Sequence, residues 1–381
     1  MKKTFGIGLI ILLLSSLISG CTAPAQVSET PAPAKIATQK PSAQDEWNQL
    51  VKDAKAEGKL LIASAAPGDI QTALTRTFRE KFGVDIEFIS GRGAEVAAKF
   101  DAERRAGLYL IDILIPGWVT YVSMIKPLDA TEAIEPLLVL PEVKDTSKWN
   151  GGKLPFLDKA GHALALTAAA SPPHIINTNQ VKKGEISGIR DLLAPKWKGK
   201  IVIIDPTLPG PSAWWYGLVL TNILGPEQGR IFMKELAANA AAATKDYRLG
   251  TEWVAQGKYA ICTGVRADEP LSFIQAGAPI EFVDNAEPRN VIPGFALLNV
   301  ARNRPHPKAT QLFVNWILTK EGMTFFTKIT QKPTPRIDAP TEGLLPVMIP
   351  RPNDVPPSEE SEAELPRMVK MAGEDFGNLL K

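Results

Sequence analysis

Cysteine is nearly missing from this chain: two occur among 381 residues, Cys21 and Cys262. Cys21 sits at the end of a leader-like segment, so Cys262 has no partner and a disulfide framework is excluded. In Tyr259-Ala260-Ile261-Cys262 it reads as a small buried apolar residue. Histidine is almost as scarce, with only His162, His174 and His306. None belongs to an H-E-x-x-H pair and no G-x-S-x-G elbow occurs, which removes two common hydrolase constellations. His306 lies in a Pro-rich turn and is expected at the surface. Neither sign of charge dominates: 43 Lys and Arg stand against 41 Asp and Glu. Removal of Lys2 and Lys3 with a leader would leave the chain neutral, so there is no basic footprint for nucleic acid. The N-terminal apolar run, Phe5–Ile18, is too short to span a bilayer. No internal repeat is visible.

What is present begins with an export signal. Lys2 and Lys3 precede the apolar run, which ends at Leu17-Ile18-Ser19-Gly20-Cys21. This segment resembles a bacterial lipobox, with Ile18 where Leu is more usual. The resemblance implies that Cys21 carries diacylglycerol and anchors the chain outside the cytoplasm. Residues 22–45 are rich in Pro, Ala, Thr, Ser and Gln and read as a solvated tether. The rest is ordinary for a globular chain, at 45% hydrophobic and 22% charged residues over the whole sequence. Well over 300 residues follow the tether, more than one core usually serves, so two lobes are expected.

Strands alternate with helices from there on. Trp47, Leu50, Val51 and Ala54 keep helical spacing up to Gly58, and Lys59–Ser64 is a strand. A helix carrying Ile70, Leu74 and Phe78 leads to a strand over Val84–Ser90. Then come Gly91-Arg92-Gly93, a helix through Val96 and Phe100, and a strand over Leu110–Ile115 closed by Pro116-Gly117-Trp118. This order predicts a parallel, doubly wound α/β sheet, with ligands beyond the carboxyl ends of its strands. Gly91-x-Gly93 with Asp112 downstream invites a dinucleotide reading, but Val96 occupies the third glycine position and argues against it. His162–Ala169 and Pro173–Asn179 lead out of this unit as strands.

A second α/β unit centres on Trp197–Trp215. Ile201–Ile204 is an apolar strand that must end before Pro206, Pro209 and Pro211. Thr207, Gly210 and Ser212 form a small-residue loop before a helix opening at Ala213-Trp214-Trp215, which is a geometry suited to anions and polar small molecules. The two tryptophans are consecutive, so one of them belongs to the core. An Ala-rich helix around Phe232–Ala243 follows, then a strand over Tyr259–Thr263 ending in Gly264-Val265-Arg266-Ala267-Asp268. Ile280–Val283 and Gly294–Val300 are return strands, and Pro307–Leu318 is an amphipathic helix. Ser361-x-x-Glu364 is a candidate cap for a last helix.

The lipobox, Trp47…Gly58-Lys59, Trp197-Lys198-Gly199-Lys200-Ile201 before Asp205-Pro206, Gly277-Ala278-Pro279-Ile280 and His306-Pro307-Lys308-Ala309…Trp316…Glu321-Gly322 occur in one order. Together they resemble the extracellular solute-binding proteins of ABC importers, in the branch that includes ferric-ion-binding proteins. The resemblance implies a two-lobed, type II periplasmic-binding-protein-like α/β fold whose lobes are joined by two crossing strands. It divides the chain into a leader (1–21), a tether (22–45), lobe 1 (46–165 and 293–381) and lobe 2 (166–292). It further implies a monomer that delivers a small ligand to a permease and its ATPase, with no enzymatic activity and no cofactor.

The iron site of that branch does not carry over. Its adjacent tyrosine pair falls where this chain has Arg266-Ala267-Asp268-Glu269, and a frequent histidine or acidic ligand falls at Ala65-Ala66-Pro67. Arg92 and Arg266 are forked donors suited to carboxylate or phosphate. The expected ligand is therefore a small anion between Ser64, Gly91, Arg92, Gly93 and Trp118 on one rim and Thr207, Gly210, Ser212, Trp214, Arg266 and Asp268 on the other. The alternatives are ferric iron or another metal on Asp268 and Glu269, a ligand-sensing subunit, and a lipid-anchored enzyme.

Overall fold

The structure, a computed structural model, describes residues 42–377 and 379. The leader, Cys21 and residues up to 41 lie outside the described residues. Helix α1 (Ala43–Glu57) opens on a reciprocal cap: Ser42 Oγ accepts from the Asp45 N–H at 3.2 Å, and the Asp45 carboxylate accepts from the Ser42 N–H at 3.3 Å. The tether expected through residue 45 thus stops short of it, because this cap starts the helix earlier.

The first lobe continues with β1 (Lys59–Ser64), α2 (Gly68–Phe82), β2 (Asp85–Ser90), α3 (Gly93–Arg105), β3 (Ile113–Ile115), α4 (Trp118–Thr120), β4 (Thr131–Glu132), α5 (Pro141–Lys144) and β5 (Leu164–Ala165). Strand β6 (Ala169–Ser171) leads out to β7 (His174–Asn177), β8 (Ile201–Ile204), α6 (Pro211–Leu218), α7 (Pro226–Asn239), β9 (Ala242–Thr244), α8 (Tyr247–Ala255), β10 (Ile261–Thr263), α9 (Asp268–Gln275) and β11 (Ile280–Phe282). Strand β12 (Asn290–Ile292) leads back to β13 (Leu297–Ala301), α10 (Pro307–Leu318) and α11 (Lys320–Thr330), and α12 (Glu359–Phe376) closes the chain.

Two sheets result, ordered β2-β1-β3-β13-β4 and β11-β7-β10-β8-β9. In the first, β1 runs parallel to β2 and β3, while β13 is antiparallel to β3. In the second, β8 runs parallel to β9 and β10. The Ala-rich segment that follows α7 is therefore an edge strand, where the sequence pattern had extended the helix: the ladder bonds of β8 hold Ala242–Thr244 extended. Between the sheets β6 and β12 form a separate antiparallel pair, Ser171 opposite Asn290 and Ala169 opposite Ile292. These are the two crossing strands.

A third crossing was not expected. Ala339 belongs to the first lobe's core and Met348 to the second's, so the Pro-rich segment after α11 passes between lobes. It adds to the hinge as a short parallel strand: the Val355 N–H donates to Arg289 O and the Val291 N–H to Val355 O, both at 2.8 Å. Helix α12 then packs on α6 and α7, with Met368, Ala372 and Phe376 in the second lobe's core. Residues 293–381 consequently do not all return to lobe 1, because the apolar face of α12 finds Tyr216, Val219 and Phe232. The cap of α12 is Ser358, with Ser361 as its reciprocal partner one turn in.

The first lobe's core gathers Phe78, Phe82, Phe313 and Trp316, whose rings lie 5.0–6.1 Å apart at tilted and edge-on angles. The turn between α10 and α11 is tight there. A Cβ on Gly322 would fall 2.1 Å from the Trp316 carbonyl oxygen and 2.7 Å from Ile317 Cα, both backbone atoms that cannot swing away. Gly322→Ala is expected to lower stability by about 2–3 kcal/mol, read from the urea unfolding midpoint.

Candidate ligand-binding cleft

On the second lobe the β8–α6 and β10–α9 loops meet. Gly210, at φ 152°, brings the backbone so close to Tyr247 that a Cβ would lie 2.8 Å from its hydroxyl oxygen. The Ser212 N–H points at that hydroxyl, and the Arg266 guanidinium lies 5.4 Å from the Tyr247 ring centroid. Arg266 is half-buried and forked between two carboxylates, Nε to Asp268 at 2.9 Å and Nη2 to Glu269 at 2.6 Å. Burial raises the Tyr247 pKa, with the neighbouring Ser212 N–H and Arg266 opposing the shift.

Lys332 approaches the same carboxylate from the first lobe. It follows α11, whose last turn is closed by Gln331 in the left-handed region. Its ammonium lies 5.5 Å from the Phe295 ring, next to Gly294, and feels Asp268 and Arg266 of the second lobe. Burial pushes its pKa down; Asp268 pulls it up and Arg266 adds to the fall. Among the described residues no carboxylate lies within ion-pair distance of Lys332. No motif marked this lysine, since the hinge alone brings it to Arg266.

Several expected ligand donors are engaged within the protein. Ser64 Oγ donates to Ile115 O at 3.3 Å and accepts from the Ala66 N–H at 3.0 Å. Ser212 Oγ donates to Ile204 O at 2.5 Å, and Thr207 closes a turn on Asp205 through its N–H at 2.8 Å and its hydroxyl at 2.6 Å. The Thr207 methyl faces Gly373 of α12. These small polar residues stop strands and start helices.

Gly91 donates its N–H to Ser64 O at 3.4 Å. Gly93 lets α3 approach α4, since a Cβ there would meet Thr120 Oγ1 at 2.4 Å. Arg92 is exposed, and its backbone N–H is held by Glu95 at 2.9 Å. Trp118, expected as an open wall, is only 2% exposed and stacks on Tyr121 at 5.9 Å. Trp215 is the core tryptophan of its pair. Trp214 is half-buried, touches the first lobe's core and borders a cavity of about 300 Å³ with Leu218, Asn290, Pro356 and Met368.

The histidines and the acidic candidates are placed as firmly. His306 is not a free surface residue: its Nδ1 and N–H both contact Asp112, each at 2.8 Å, while Asp112 also accepts from the Leu61 N–H. Asp112 is thus a buried brace between β1 and α10. His162 Nδ1 lies 3.1 Å from Thr131 Oγ1, and His174 is enclosed in the second lobe. No group of three or more His, Cys, Asp or Glu side chains converges on a metal-sized space among the described residues.

Two sheets joined by hinge strands, with the loops of both facing one another, are the fold of the type II periplasmic binding proteins. Structures of that class match over most of the chain. The periplasmic binding protein AfuA from Actinobacillus pleuropneumoniae, with exogenous fructose 6-phosphate bound, is 19% identical, with 84% of this chain and 99% of that one covered and a TM-score of 0.55. Trichodesmium IdiA (FutA), in complex with iron and citrate, is 15% identical over 84% and 99%, with a TM-score of 0.63. The spermidine/putrescine transporter substrate-binding protein PotD from Streptococcus pneumoniae is 15% identical over the same shares, at 0.64. At these identities the likeness establishes the fold. Residues 152–329 match the family model described as bacterial extracellular solute-binding protein, a likeness that agrees with that fold.

Proposed function

We propose that the chain captures a small solute carrying an anionic group and delivers it to an ABC import permease and its ATPase, tethered outside the cytoplasm by a lipid on Cys21. The observation that carries the ligand reading is Lys332. A half-buried ammonium without a carboxylate partner is costly, and an anion placed between it and Arg266 would relieve that cost. Such a ligand touches both lobes, which is what allows binding to favour the closed form. Asp268 and Glu269 engage Nε and Nη2 of Arg266, so a metal would have to displace a guanidinium from both carboxylates, whereas an anion needs only Lys332 and the remaining guanidinium N–H groups. That weighs against the metal alternative and leaves the anion as the better reading.

Thermal unfolding of the purified chain with inorganic phosphate, citrate, a sugar phosphate, spermidine and ferric citrate tests the reading. At least one metal-free anion is expected to raise the melting temperature by several degrees. Lys332→Met is expected to lose most of that response while keeping its circular dichroism spectrum. A response to spermidine or to ferric ion alone, unchanged in Lys332→Met, would overturn the anion assignment.

A further inference from the structure

Helix α12 holds the two lobes in different ways. Against the second lobe it is packed: Met368, Ala372 and Phe376 are core, Tyr216 donates its hydroxyl to Asp375 at 2.7 Å, and Arg230 forks onto Asp375 at 2.7 Å and Glu374 at 3.0 Å. Against the first lobe it presents an acidic first turn. Glu359 pairs with Lys126, Glu360 pairs with Lys159 at 2.7 Å, and Glu362 lies beside the Trp118 indole. The segment leading into this turn is pinned to the hinge at Asn290 and Val291. Beneath it a cavity of about 510 Å³ opens between Phe156, Thr167, Val291, Pro335 and Pro357. The acidic turn therefore spans open space and is held to the first lobe mainly by charge.

We infer that α12 is an inter-lobe latch: it travels with the second lobe and clips onto the first through Lys126–Glu359 and Lys159–Glu360. Apolar packing on one side resists separation, whereas exposed ion pairs on the other release at little cost and weaken with salt. The latch favours the closed arrangement before any ligand arrives, so it sets how much binding energy closure consumes. Each pair is expected to shift the closed-to-open ratio by about 1.5- to 5-fold at low ionic strength. The inference is independent of which solute occupies the cleft.

Electron–electron distance measurements across the lobes test it. Spin labels go on cysteines introduced at exposed Leu108 and Ile231 in a Cys21→Ser chain, where buried Cys262 escapes labelling. In the ligand-free protein, the long-distance population is expected to grow as salt is raised from about 20 mM to about 500 mM, where the screening length falls several-fold. Glu359→Gln/Glu360→Gln is expected to show that population already at low salt and to respond little to more. Lys126→Gln/Lys159→Gln breaks the same pairs from the other lobe and should behave alike, which separates latch release from misfolding of α12. Distance distributions that ignore salt, or variants that respond to salt as the parent does, would overturn the latch.

Discussion

Replacing Arg289 by methionine is expected to cost about 3–5 kcal/mol, among the largest losses available to a single change in this chain. Arg289 and Asp354 form a buried ion pair with side chains 3% and 0% exposed. The guanidinium donates to Asp354 at 2.7 and 3.2 Å, to Ile349 O at 3.0 Å and to Val347 O. Asp354 also takes the N–H groups of Arg289 and Arg351, both at 2.8 Å. Removing the arginine leaves a buried carboxylate with two backbone donors and no counter-charge, and it strands two carbonyls. Asp354→Asn keeps the shape but leaves the buried guanidinium only the exposed Asp284, 4.0 Å away, as counter-charge, so a substantial but smaller loss is expected. Lysine cannot reproduce the fork, so Arg289→Lys should recover only part of the loss. Urea unfolding of the three variants measures this. A loss below about 1 kcal/mol for Arg289→Met would mean that the third crossing is held by something other than this pair.

That crossing also shows where the sequence is silent. The elements of the first lobe are legible because their apolar residues keep strict periods: Ile70, Leu74 and Phe78 lie on one face of α2, and Leu60 and Ile62 alternate in β1. The paired hinge strands follow from the family resemblance. The segment carrying Val347, Ile349 and Asp354 has prolines and no period, and its position depends on an ion pair between residues 65 apart. No local pattern could place it, nor send α12 to the second lobe. The candidate site divides in the same way. Small polar residues after strands were visible as loop formers, but a hydroxyl serves a strand end as readily as a ligand, and Ser64 and Ser212 do the former. Arg266 stood out because it follows a strand in a small-residue loop. Lys332 stood out in no way, since its meaning comes from the hinge that sets it opposite Asp268.

Acid is expected to destabilise the second lobe well above the usual carboxylate range, through His174. This residue lies in β7 with no exposure, its ring edge-on to Trp215 at 4.8 Å, and neither ring nitrogen has a hydrogen-bond partner. Burial alone drives its pKa from 6.5 down to about 3. The unfolded chain therefore takes up a proton near pH 6.5, while the folded chain refuses it until about pH 3. Between those values the unfolded state binds more protons, so stability is full above pH 6.5 and falls as pH drops through the window. At pH 5 the loss amounts to about 2 kcal/mol. Burial raises the pKa of Glu287 and Glu362, and those carboxyls give the opposite slope, favouring the fold as they protonate. The histidine must accordingly be isolated by difference. His174→Phe preserves the edge-on ring contact and removes the titration, so urea unfolding of parent and variant at pH 7.5 and pH 5 should diverge by that amount. Parallel losses in the two proteins would mean that His174 finds a proton or a partner inside the folded lobe. The enclosed, uncharged imidazole would then be wrong, and with it the dry packing of β7 against α6.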